Sequence, residues 1–183
     1  QRLKKDFKEI SLSKSYSGEG IVIGNGNAKG VLLKGINKKE KNVSEFFEKF
    51  IIKGNIENFN SNEVLIGSEL AFNLNLQEGD ILSIMSSAFI STPIGSIPKQ
   101  ESFKVAGIFN TGFIDFDKNV IFLKIEDALS IFDKEESEVN LEIFLNNPLN
   151  ANTIKSKIQN INQNYFIYTW SDLNKSLFSA LKV

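Results

Sequence analysis

The chain has 183 residues, 21 Lys and Arg against 22 Asp and Glu, and neither histidine nor cysteine. That length holds one ordinary domain or two small lobes sharing a core, and 42% hydrophobic with 23% charged residues is a globular composition. Without His and Cys there is no imidazole base, no thiolate nucleophile and no common zinc ligand. The near-zero net charge, with no basic cluster, gives nucleic-acid binding no electrostatic support.

Leu3, Phe7 and Ile10 follow helical spacing from the first residue, and Leu173, Leu177 and Leu181 do so up to the last. Both patterns look cut, which predicts a domain excised from a longer protein. No apolar run approaches the roughly 20 residues of a membrane helix. Ile10 to Tyr16 and Glu19 to Gly24 read as two strands. Gly24-Asn-Gly-Asn-Ala-Lys-Gly30 invites a phosphate-loop reading, but a strand, not a helix, follows it at Val31–Ile36. The stretch is therefore a hairpin turn of residues suited to positive φ.

Lys38-Lys-Glu-Lys41 is a charged link. A helix capped by Asn42 or Ser44 and closed by Gly54 carries Phe46, Phe47, Phe50 and Ile51 on one face. Asn55 to Asn62 is polar and reads as a hinge. Glu63–Gly67 then forms a strand, Ser68 caps a short helix with Leu70, Ala71 and Leu74, and Ile81–Met85 is a further strand.

Ile90 to Phe103 is longer than a turn needs. Pro93 and Pro98 stiffen it and keep it out of a central strand, while Ile90, Ile94 and Ile97 keep it apolar. These features predict a semi-rigid protruding arm. A strand returns over Phe103–Phe109. Asn119–Lys124 is a strand, Ile125–Phe132 a helix, and Val139–Leu145 a strand with one wet face. Ile154, Ile158 and Ile161 mark a helix, Tyr165–Thr169 a closing strand, and Trp170 leads into the last helix. Asp115 and Asp117 would share a face on a strand, yet no third ligand accompanies them. A solvated hairpin tip is the reading there, with no metal or cofactor expected.

This order is that of an α+β protein with mixed and antiparallel sheets and short helices. One lobe comprises residues 1–62 with 134–183, and an inserted β-rich lobe comprises 63–133, carrying the arm at 88–101.

Thr92-Pro-Ile-Gly-Ser-Ile-Pro98, followed by Gln100 and Phe103, resembles the Thr-Pro-Met-Gly-Arg-Ile-Pro hook of LolC-type membrane subunits of lipoprotein-releasing ABC transporters. Gly30–Ile36, Val64–Gly67, Leu74–Asp80, Val105–Phe109 and Leu177–Val183 support it in the same order. The resemblance implies a two-lobed, MacB-like periplasmic domain of a bacterial inner-membrane protein that is no enzyme itself, with ATP hydrolysis in a separate subunit.

It further implies a hook that docks a LolA-type periplasmic lipoprotein carrier through Ile90, Thr92, Pro93, Ile94, Gly95, Ile97, Pro98, Lys99 and Gln100. The implied partners are the ATPase subunit, a LolE-type or identical membrane subunit, and lipoprotein cargo. Relaying movement within a MacB-like exporter, without carrier docking, is the alternative. Ile94 stands where the family has Met, while Ser96, Glu101 and Ser83 stand at its basic positions, leaving Lys99 and Lys104 as the nearby cations. Insertion of apolar side chains is thus expected to outweigh charge pairing.

Overall fold

A computed structural model describes residues 10–161 and 163–173. Leu3, Phe7, Leu177 and Leu181, and with them most of both terminal helix expectations, lie outside the described residues. The strands are β1 (Ile10–Gly24), β2 (Asn27–Ile36), β3 (Ile51–Gly54), β4 (Glu63–Gly67), β5 (Ile81–Thr92), β6 (Gly95–Phe109), β7 (Val120–Lys124) and β8 (Asn140–Leu145). The helices are α1 (Lys41–Phe50), α2 (Ser68–Leu74), α3 (Ile114–Asn119), α4 (Ile125–Ile131), α5 (Ala151–Ile161) and α6 (Trp170–Leu173).

The sheet order is β2-β7-β4-β6-β5-β1-β8, with β3 on β6. Because β1 pairs with β2 as well as with β5, the path from β2 to β1 closes into a ring. β4 runs parallel to β6 and antiparallel to β7, while β2 and β7 are parallel, so the sheet is mixed. The α+β class with short helices is what the sequence predicts.

Alternation along the strands separates two cores. Val64 and Ile66 of β4 join Val22, Leu33, Leu82, Ile84, Phe103, Val105, Ile121 and Leu123, together with Leu70 and Leu74 of α2 and Ala128 and Ile131 of α4. Leu65 points the opposite way into a second cluster with Phe47, Phe59, Phe109 and Phe122. Val-Leu-Ile in β4 is therefore apolar on both faces because both faces are covered. Phe46, Phe47, Phe109, Phe116 and Phe122 meet there at ring-centroid separations of 5.0–6.5 Å, within the range of favourable aromatic pairs. The phenylalanines of α1 pack a core, as their spacing predicts.

Asn25 (φ 48°) and Gly26 (φ 79°) form the two-residue turn between β1 and β2. Positive φ at both central positions is what a tight hairpin demands, and the turn confirms the hairpin reading of the glycine-rich stretch. Other boundaries move. The two strands expected before it are one, β1. α1 starts after Glu40, whose carboxylate accepts from Ser13 and from the Lys14 N–H rather than capping the helix, and neither Asn42 nor Ser44 caps it. That helix stops at Phe50 because Ile51–Gly54 is recruited as β3. Gly67, not Ser68, occupies the cap position of α2. Tyr165–Thr169 forms no strand among the described residues.

Two compact units result, residues 1–12 with 143–183, and residues 13–142. The sequence pattern places its divisions at 62/63 and 133/134 instead. The polar stretch 55–62 reads as a hinge, yet Asn55 caps a 3-10 turn that buries Ile56, and Phe59 follows into the core.

Candidate docking hairpin

β5 and β6 are central within the ring and then run past it together. β1 leaves β5 at Ser86, and β4 joins β6 only from Lys104 onward. Between these points, among the described residues, the two strands pair with each other alone: Phe89 opposite Pro98, Ile90 opposite Ile97, Ser91 opposite Ser96 and Thr92 opposite Gly95. The loop expected over 90–103 is thus a β-hairpin, and only Pro93 and Ile94 lie in its turn.

The prolines are compatible with pairing because of where they fall. Pro93 sits in the turn, where a fixed φ helps. Pro98 sits where β6 has, among the described residues, a neighbour on one side only. Gly95 adopts φ 127°, a conformation open to a residue without Cβ. The Thr92 hydroxyl donates to the Gly95 carbonyl at 2.6 Å and closes the turn.

Ile94 at the tip is 95% exposed, Phe89 64%, Ile97 48% and Ile90 45%. Residues directly opposite on antiparallel strands point to the same face. Ile90 and Ile97 therefore occupy one face and Phe89 with Pro98 the other, so the ribbon is apolar on both sides. Thr92, Pro93 and Gly95 shape the turn rather than add apolar bulk. Gln100, opposite Met85, lies on the shaft and is exposed.

Lys99 departs from its expected place. Its ammonium donates to the Ser130 carbonyl at 2.6 Å and stands 3.4 Å from Glu101, so it is turned toward the body. Its neighbour in this anchoring is Ser86, which the pattern passes over. Its only trace in the sequence is Met85-Ser-Ser-Ala88, where strand alternation falters, and there the register shifts between Met85 and Phe89.

The aspartate pair is corrected. Asp115 and Asp117 lie on α3 rather than at a solvated hairpin tip, and two residues along a helix do not share a face. Asp117 is buried. It accepts from the Thr111 N–H at 3.0 Å, the Thr111 hydroxyl at 2.7 Å and the Gly112 N–H at 3.2 Å. It holds the turn after β6, which is a structural duty. Burial raises the Asp127 carboxyl above its ordinary range, against the lowering by the Asn62 N–H and Lys124. No group of three or more His, Cys, Asp or Glu able to hold a metal occurs among the described residues.

No protein-family model matches the chain. It is 26% identical over 151 residues to the lipoprotein-releasing system transmembrane protein LolC of Xylella fastidiosa (strain Temecula1), covering 81% of this chain and 36% of that protein. To LolC of Neisseria meningitidis serogroup B it is 24% identical over 188 residues, covering all of this chain and 45% of the relative. The chain thus spans less than half the length of the curated relatives it matches.

Among solved structures, the extracellular domain of YknZ, a noncanonic ABC-type transporter from Gram-positive bacteria, superposes with a TM-score of 0.56 at 14% identity. The match covers 90% of this chain and 82% of that one. No described helix is long and apolar enough to cross a membrane. The resemblance carried by the hook and its flanks therefore extends over most of the chain: it is similar to LolC-type membrane subunits of lipoprotein-releasing systems, on a fold shared with an ABC-transporter extracellular domain.

Proposed function

We propose that the chain is the periplasmic domain of a lipoprotein-releasing ABC transporter subunit in a bacterial inner membrane, and that its hairpin docks a LolA-type lipoprotein carrier. In this reading the domain is not an enzyme. ATP hydrolysis resides in a separate subunit, the membrane partner is a LolE-type or identical subunit, and the cargo is outer-membrane lipoprotein. The observation that carries the reading is the hairpin's two-sided apolar surface, capped by Ile94. Lying on a flat partner requires one apolar face, whereas a ribbon apolar on both faces suits insertion into a cavity, and a lipoprotein carrier must own an apolar cavity for acyl chains.

Energetics agree with transient docking. Burying Ile94, Ile97 and Phe89 yields about 1.5–3 kcal/mol each before ordering costs, and a paired hairpin has little ordering left to do. The three together give about 4.5–9 kcal/mol before those costs, so a micromolar contact, about −8 kcal/mol, draws on the rest of the hairpin as well and is one a loaded carrier can leave. A purely movement-relaying domain would have no use for exposed apolar side chains at Ile90, Ile94 and Ile97. Photo-crosslinking from benzoylphenylalanine at position 94 in periplasmic extract tests the proposal. A small soluble lipoprotein carrier is the expected adduct, and its absence from the adducts overturns the reading.

A further inference from the structure

We infer that Ser86 and Lys99 are positioning residues that bolt the hairpin to the C-terminal end of α4 and so fix the direction in which the tip points. The inference rests on the docking reading only for its consequence, because the anchoring itself is independent of any partner. β1 stops flanking β5 at Ser86, and the hairpin leaves the ring there. At that exit the register shifts between Met85 and Phe89, and such an irregularity bends and twists a ribbon. Nothing in the ladder beyond it fixes the ribbon's angle to the body.

Two side chains supply what the ladder lacks, one from each strand. Ser86 is buried; its hydroxyl donates to the Ile131 carbonyl at 2.6 Å and accepts from the Ala88 N–H at 3.1 Å. It therefore ties the irregular stretch both to itself and to the helix. From β6, the Lys99 ammonium donates to the neighbouring Ser130 carbonyl at 2.6 Å, with Glu101 beside it at 3.4 Å. The last carbonyls of a helix carry partial negative charge, so a hydroxyl and a cation are suited to them; that of Ser130 accepts from the Asp133 N–H at 3.0 Å as well. α4 is itself fixed by Ala128 and Ile131, both fully buried. A two-point attachment through different strands restrains swing and twist together, which either bond alone would not do.

If the tip must be correctly aimed to enter a cavity, apparent affinity scales with the fraction of time it is so aimed. Loosening that leaves the hairpin aimed about one-tenth of the time weakens carrier binding about tenfold. The absence of cysteine allows a clean measurement. Nitroxide labels at Ile94→Cys on the tip and Lys118→Cys on α3 report the distance between hairpin and body by pulsed electron spin resonance. A single narrow distribution is expected in the otherwise native chain, and a clearly broadened one with Ser86→Ala and Lys99→Met combined. Lys99→Arg, which keeps the cation, should restore the narrow distribution when Ser86 is intact.

A distribution as narrow in the double variant as in the parent, with an unchanged melting profile, overturns the inference. Titration of an unlabelled Ser86→Ala, Lys99→Met chain with a LolA-type carrier separates the two proposals. Broadening with tenfold weaker binding supports both, whereas broadening with no carrier binding by the parent chain leaves the anchoring standing and removes the docking.

Discussion

The same two strands behave in opposite ways along their length. Within the ring, Leu82, Ile84, Phe103 and Val105 of β5 and β6 are almost wholly buried, because β1 and β4 flank them and α2 and α4 contribute side chains to the same cluster. Past the ring, Phe89, Ile90, Ile94 and Ile97 are just as apolar and are exposed. Apolar content alone does not mark a core residue; flanking strands do. What the hairpin keeps out of the core is available to a partner, at the cost of leaving unpaired strand edges in solvent.

That contrast can be broken by mutation, beginning with the largest expected loss. Phe103→Ala removes a ring from the buried half and should destabilise the chain by about 3–5 kcal/mol in chemical denaturation; a loss as small as that of a surface change would dissolve the distinction between the halves. Asp117→Ala strips the turn at the far end of β6 of the acceptor of the Thr111 N–H and hydroxyl, for about 1–3 kcal/mol by the same assay.

A smaller effect, dependent on pH, belongs to the unit formed by 143–183. Hydrogen bonds from the Lys155 ammonium and from the Thr169 N–H and hydroxyl hold the Asp172 carboxyl well below the usual carboxylate range. Its folded value lies under the value of about 3.9 in an unfolded chain. Its contribution is therefore present above about pH 4 and is lost as pH falls further, through the folded value. Fluorescence of Trp170, the chain's single tryptophan, should follow that loss, and Asp172→Asn should flatten the response. The smallest change in stability is expected for Ile94→Asp: within about 0.5 kcal/mol, because no described residue covers the tip.

Legibility in the sequence divides along the same line. β4, β7 and α4 were readable because each is a compact apolar run between breakers and each is covered on the faces its pattern requires. The Asn25-Gly26 turn was readable because backbone conformation there admits few residue types. The hairpin was not, since Pro93 and Pro98 read as barriers to pairing and their compatibility depends on β6 having one neighbour at that level. The hairpin-tip reading at Asp115 and Asp117 failed because α3 is only six residues long, too short to show a helical period. The anchoring by Ser86 and Lys99 was not legible, as the carbonyls they reach belong to residues 45 and 31 positions further along the chain. The apolar tip at Ile90, Ile94 and Ile97 was legible as composition, but its two-sidedness follows from a register that only the paired strands define.

Binding inverts the order of these effects, and one titration tests that most directly. A fluorescently labelled LolA-type carrier is titrated with the parent chain and with Ile94→Asp, with melting profiles recorded in parallel. The account predicts micromolar binding to the parent, no detectable binding to Ile94→Asp and indistinguishable melting of the two. Equal carrier affinity for both chains would contradict it.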